Sequence, residues 1–214
     1  TADTAAAEPV TTLRAEVKPV YIVLFIDNEN LRPMDRNRVL GQIRAFLKEV
    51  MYPHVQVMVV TYQRSLKVQQ PFTNNSKEIA DALRAVRGMN ATRGTQDTER
   101  KKILREFAAL EQQGTRGTEQ DRMQLESRIR SYADVIDNEL DFAINAVREI
   151  TATLSGLPGR KYLFHISSGL PMVPAKDLLY QLGDTFQQTS TLSMESRLNH
   201  RRHYQALASA ANSQ

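Results

Sequence analysis

Apolar positions along the chain fall into short continuous runs separated by longer stretches with helical spacing. The run over residues 19–27 (PVYIVLFID) is rich in β-branched and aromatic side chains, which is typical of a parallel strand buried on both faces. The runs VQVMVVTY (55–62), SLKVQQPF (65–72) and KYLFHIS (161–167) predict three more strands. Only a short gap separates 55–62 from 65–72, so these two strands are expected to form a hairpin near the sheet edge.

Between the strands, apolar residues recur every three or four positions. This spacing predicts helices over 36–51, 75–87, 98–111 and 119–154, and a largely helical region from 175 to 211. Strands that alternate with helices predict an α/β fold with a doubly wound, mostly parallel sheet, a Rossmann-like layout.

The helix over 119–154 is the unusual element, because its narrow apolar seam continues for several heptads. Its first half is expected to pack on the helix over 98–111, so that an inserted helical hairpin at about 96–131 interrupts the domain. At 1.5 Å per residue the long helix would extend about 54 Å, and we therefore expect the hairpin to protrude from the sheet.

Composition agrees with one large folded domain over residues 19–214. The 214 residues are 41% hydrophobic and 24% charged, which is ordinary globular usage. Residues 1–18 are small and polar, which predicts a flexible N-terminal segment. A start of this kind is also found after a removed signal peptide, so we expect a bacterial protein that is exported to the periplasm, to the cell surface or to the medium.

Several function classes are disfavoured by composition. No apolar run approaches the roughly 20 residues of a membrane-spanning helix, so no membrane insertion is expected. The net charge of +4 is spread among alternating acids and bases, whereas a nucleic-acid-binding surface would cluster its basic residues. The chain has no cysteine and no glycine-rich phosphate loop, which argues against thiolate chemistry and nucleotide binding.

Four stretches resemble, in the same order, the signature segments of von Willebrand factor A-related domains of the Acidobacterial type. They are FIDNENL from Phe25, VVTYQRSLKVQQPFTNN from Val59, LSGLPGRKYLFHISSGLPMVP from Leu154 and YQALASAAN from Tyr204. The resemblance implies the fold of integrin inserted domains and a module for adhesion or assembly that is not an enzyme. It implies a protein partner, bound by the loops at the carboxyl ends of the parallel strands.

In the wider family those loops hold Mg²⁺ in a metal-ion-dependent adhesion site. The ligands are an Asp-x-Ser-x-Ser loop, a threonine from a second loop and an aspartate from a third. Here Asp27 and Thr73 match, while Glu29 and Leu31 replace the two hydroxyls and Ser168 replaces the distal aspartate. The resemblance thus implies a degenerate site, and we expect neither a metal nor another cofactor. If an ion did bind, its ligands would be Asp27, Glu29 and Thr73. The residues expected to contact the partner are Asp27, Asn28, Glu29, Asn30, Thr73, Ser167 and Ser168.

These residues also fit structural roles. Asp27 could cap the loop or helix that follows the strand, and Glu29 fits exposed loop polarity. His165 alternates within an apolar strand and is expected to be a hydrogen-bonded core or semi-buried residue. No carboxylate lies at helical spacing from His200 or His203, which are therefore expected on a solvated helix face.

The alternative function comes from a second resemblance. FIDNENL also resembles the Asp-x-x-Asn strand end of PIN-like ribonucleases of the NYN type, which use a carboxylate cluster to hold a catalytic metal. No acidic residue follows Ser168 until Asp177, and Asp137 and Asp141 are the spare candidates. Protein binding is therefore the favoured function, and a metal-dependent ribonuclease is the alternative.

The resemblance also predicts the position of KYLFHIS in the sheet. In the usual strand order the first strand lies beside the fourth, which leaves KYLFHIS at an open edge. Related domains continue after YQALASAAN with a further strand and helix. We therefore expect the natural chain to extend beyond Gln214, with C-terminal strands missing from this sequence.

Overall fold

The four apolar runs form one sheet in the computed structural model, which describes residues 17–90, 93–113, 118–186 and 190–212. The strands are β1 (Val20–Asp27), β2 (Val55–Gln63), β3 (Ser65–Thr73) and β4 (Arg160–Ile166). The helices are α1 (Pro33–Val50), α2 (Ser76–Arg87), α3 (Arg93–Gln113), α4 (Glu119–Ser155), α5 (Lys176–Phe186), α6 (Ser190–Arg197) and α7 (Arg201–Asn212). The predicted N-terminal segment lies almost wholly outside the described residues.

The strand order is β3-β2-β1-β4. β1 is the centre of the parallel part and pairs with β2 on one side and with β4 on the other. β3 runs antiparallel to β2, which confirms the predicted edge hairpin. Within the described residues no strand pairs with the outer side of β4, and two of its aromatic side chains, Tyr162 and Phe164, are exposed.

Helices cover both faces of the sheet, an arrangement compatible with the predicted doubly wound fold. Even-numbered residues of β1, such as Ile22 and Leu24, pack against α1 and α2. Odd-numbered residues, such as Val23 and Phe25, pack against the second half of α4. Because successive side chains of a strand point to opposite faces, the continuous apolar run of β1 supplies both cores.

The predicted hairpin is present, formed by α3 and the first half of α4, and other helices cover its apolar face. Its apolar face builds a third core with α5 and α6 rather than facing solvent. Phe107 and Ile129 from the hairpin and Leu178 and Leu182 from α5 are all fully buried there. The hairpin is thus one wall of a helical layer, whose other wall is formed by α5 and α6.

Local signals fix the boundaries of the long helix and of the strand that follows it. Thr118 and Asp121 form a reciprocal capping box at the start of α4. Gly159, just before β4, has a φ of 93°, and a Cβ at this position would lie 2.1 Å from the carbonyl oxygen of Pro19. Only glycine allows this approach, which brings β4 into register beside β1. None of the described helices is long and apolar enough to span a membrane.

Candidate functional site

The carboxyl end of β1 is held by a buried carboxylate. Asp27 is fully buried and accepts three hydrogen bonds. Two come from Asn30, through its backbone N–H at 3.1 Å and its side-chain amide at 2.9 Å. The third comes from the hydroxyl of Ser167 at 2.9 Å, just after β4. Asp27 therefore ties the β1–α1 loop to the β4–α5 loop, and protein donors already occupy its oxygens.

A second buried cluster surrounds Asn28. The guanidinium of Arg36, which is only 2% exposed, donates to the side-chain oxygen of Asn28. It also donates to the carbonyls of Arg87 at 3.0 Å and Met89 at 2.8 Å, near the end of α2. Burial lowers the pKa of Arg36. The hydrogen bonds of its guanidinium connect α1 to the β1–α1 loop and to the end of α2.

The next residues of this loop are buried, although loop polarity predicted exposure. Leu31, which replaces a hydroxyl of the family pattern, is 2% exposed and belongs to the core between the sheet and α1. Glu29 and Asn30 are 4% and 8% exposed. One carboxylate oxygen of Glu29 is buried and has no hydrogen-bond partner among the described residues. A buried acceptor without a partner is energetically costly, which marks this oxygen as a functional candidate.

A cleft opens above these strand ends, between the sheet and the hairpin. We call it the strand-end cleft. It consists of two adjoining cavities of about 480 and 380 Å³ that share Gln96, Tyr132, Ile136 and Glu139 in their walls. The larger cavity is also lined by Asn30 and by Tyr180 of α5, and the smaller one by Glu29 and Arg64. The cleft thus lies where ligand sites of open α/β sheets are found.

Titratable groups beside Asp27 respond to its charge and to burial. Burial lowers the pKa of His165, and the carboxylate of Asp27, 3.9 Å away, acts in the opposite direction. Burial raises the pKa of Tyr62 to about 12, and the negative charges of Asp27 and Glu29 add to this effect. His165 also packs edge-on against Phe25, and 28% of its side chain is exposed, so it is a semi-buried residue and not a core residue.

The structure brings together most, but not all, of the residues predicted to contact a partner. Ser167 joins the loop of Asp27, whereas the neighbouring Ser168 is exposed. Thr73 is not part of this site. It pairs with Val57 in the first half of β2, because the antiparallel β3 carries it back to the other end of the sheet. There its hydroxyl donates to Glu78 at 2.7 Å.

A second polar cluster was not predicted from the sequence. Asp137 and Asp141 of α4 face His200, which directly precedes α7, and His203 in the first turn of α7. His200 is only 4% exposed, so the expected solvated helix face was wrong for this residue. Asp137 and Asp141, the two carboxylates that the ribonuclease alternative could have used, therefore both contact imidazoles in this cluster.

Comparisons with known proteins add little to this geometry. Neither the family models nor the curated proteins gave a match to the chain. Among solved structures, it resembles part of the three N-terminal domains of the type V pili tip protein Mfa5 from Porphyromonas gingivalis. The sequences are 18% identical, and the TM-score is 0.29 over 32% of this chain and 14% of that chain. A likeness this limited decides neither the family nor the function.

Proposed function

We propose that this chain is a von Willebrand factor A-like module that binds a protein partner in the strand-end cleft and catalyses no reaction. In this proposal Asp27 holds two loops together by hydrogen bonds instead of ligating Mg²⁺. Three protein donors already satisfy its carboxylate, and the neighbouring Leu31 is a core side chain.

The observation that carries the proposal concerns Glu29, a residue of the cleft wall, because one of its carboxylate oxygens is buried and has no hydrogen-bond partner among the described residues. A donor from a bound polypeptide would satisfy it. The opposite part of the cleft presents Tyr180, which is 54% exposed and lies against Lys176 at 5.2 Å. Tyrosine is one of the residue types enriched among those that dominate the binding energy of protein interfaces.

The test is capture of a partner from the native envelope fraction by immobilised wild-type and variant chains. We expect Tyr180→Ala and Glu29→Gln to weaken capture of the same protein. Tyr52→Ala is the matched control, because Tyr52 is 58% exposed and precedes β2 at the other end of the sheet. It should leave capture unchanged.

Stability measurements separate a binding defect from misfolding. Glu29→Gln removes a carboxylate of which one buried oxygen has no hydrogen-bond partner among the described residues, so the variant should be at least as stable as the wild type while it binds less. Equal loss of capture in the Tyr52 control would contradict the proposal. So would Mg²⁺-dependent cleavage of RNA by the purified chain that disappears in Asp27→Asn, since that result would favour the ribonuclease.

A further inference from the structure

The cluster between α4 and α7 has the composition and spacing of a metal site. His200 Nδ1 lies 3.1 Å from His203 Nδ1, and Asp141 Oδ1 lies 3.4 Å from the first nitrogen and 3.5 Å from the second. Three potential ligand atoms thus form a nearly equilateral triangle. None of these residues is among those that line the strand-end cleft.

These distances match the ligand spacing of a small divalent ion. Zinc binds histidine nitrogen and carboxylate oxygen at about 2.0–2.1 Å in tetrahedral geometry, which separates the ligand atoms by about 3.4 Å. An ion placed against the triangle would reach all three atoms with little movement of the side chains. A fourth position would face solvent, because the side chains of Asp141 and His203 are each about half exposed, at 47% and 51%.

The second ring nitrogen of His200, Nε2, has a carboxylate partner, as is common in metal-binding histidines. This Nε2 lies 2.7 Å from the carboxylate of Asp137, and a proton on Nε2 leaves Nδ1 free to act as a ligand. The backbone N–H of His200 donates to the carbonyl of Met172 at 2.9 Å, which fixes the residue from a third direction. The carboxylates of Asp137 and Asp141 supply negative charge that a divalent cation would balance.

We propose that Asp141, His200 and His203 bind a borderline divalent transition-metal ion such as Zn²⁺, with Asp137 as a positioning residue for His200. Such an ion would join α7 to the middle of α4. The two imidazole ligands favour zinc, cobalt or nickel over Mg²⁺, which prefers oxygen ligands.

The test uses the untagged full chain, first freed of metal with a chelator, and titration with Zn²⁺ or Co²⁺ near pH 7.5. We expect one ion per chain, a melting temperature that rises by several degrees, and visible d–d absorption with Co²⁺. Mg²⁺ should reproduce none of these effects. Binding should be lost in Asp141→Asn and in His203→Ala, both of which change half-exposed side chains and should leave the chain folded.

Two matched controls separate a specific site from adventitious binding. Asp134→Asn changes an aspartate of the same helix that pairs with Arg197, and His54→Ala removes a histidine that stacks on Tyr52. Both variants should bind like the wild type. Asp137→Asn should weaken binding by about 10–100-fold without changing the stoichiometry, as expected for a residue that orients a ligand.

The alternative is a cluster held by hydrogen bonds alone, in which the Nδ1–H of His203 donates a hydrogen bond to His200 or to Asp141. In that case the melting temperature of the wild type would not respond to Zn²⁺ or Co²⁺, which would overturn the proposal. Binding that persists unchanged in both Asp141→Asn and His203→Ala would overturn it as well.

Discussion

Replacing Ser167 by alanine tests whether Asp27 serves as a hydrogen-bonded tie between loops. The change removes a bond of 2.9 Å to a fully buried carboxylate, and a longer, exposed bond of 3.3 Å that the hydroxyl accepts from the backbone N–H of Gly169. A hydrogen bond to a charged partner contributes about 1.5–3 kcal/mol net. Asp27 retains both bonds from Asn30, so we expect the lower part of this range, about 1.5–2 kcal/mol. For a domain of this size, that loss lowers the melting temperature by roughly 3–8 °C.

The assay is urea unfolding followed by circular dichroism, with two-state behaviour checked by a second probe. Ser168→Ala is the matched control, because this neighbouring serine is exposed. Its free energy of unfolding should stay within about 0.5 kcal/mol of the wild type. If the two alanine variants unfold at the same urea concentration, the bond from Ser167 to Asp27 contributes nothing and the structural role of Asp27 is refuted.

Three further outcomes are expected. Arg36→Met should lower the free energy of unfolding by about 2–4 kcal/mol in the same assay, because two backbone carbonyls and the side chain of Asn28 lose a buried donor. A change below about 0.5 kcal/mol would contradict this expectation. Since burial lowers the pKa of His165 from its usual 6.5, the unfolded chain binds more protons, and stability should fall as pH drops through 6.5 toward the lowered value. His165→Gln should reduce the pH dependence of the melting temperature in this range. If the pH dependence is unchanged, a group other than His165 causes it. Replacement of residues 96–131 by a short turn should give an insoluble or dye-binding chain, because it uncovers Leu178 and Leu182, and a cooperative, soluble monomer would show that the hairpin is dispensable.

The strands and helices could be predicted because each depends on a local pattern. The run in β1 is apolar on both faces, and only a central strand of the sheet needs this. The seam of α4 likewise identified one continuous helix with an apolar side. An apolar seam predicts that one face of a helix is buried but does not identify the element that packs against it. The packing of α5 and α6 on the hairpin therefore could not be predicted.

The candidate site was predicted only in part, because its contacts join segments that are distant in sequence. Asp27 and Ser167 follow adjacent parallel strands, so their meeting could be anticipated from topology. Thr73 was misplaced because the reversal of β3 moves its end to the opposite side of the sheet.

Spacing within a single helix does not predict the histidine cluster, because its acids and its histidines come from different elements. Asp137 and Asp141 lie four positions apart, and His200 and His203 lie three apart. Each pair therefore occupies one side of a helical turn. A pair of acids on one element and a pair of histidines on another can therefore predict that the two elements pack against each other. The structure shows this packing for α4 and α7.

α4 has a mechanical consequence for the whole molecule. Its 37 residues form one rod of about 55 Å whose two ends belong to different cores. It contains neither proline nor glycine, the residues at which helices most often bend. A tilt of about 5° at the sheet would therefore move the far tip by about 5 Å. Because the first half of this rod is packed against α3, α5 and α6, a small tilt at the cleft wall would displace the whole helical layer together with the start of α4.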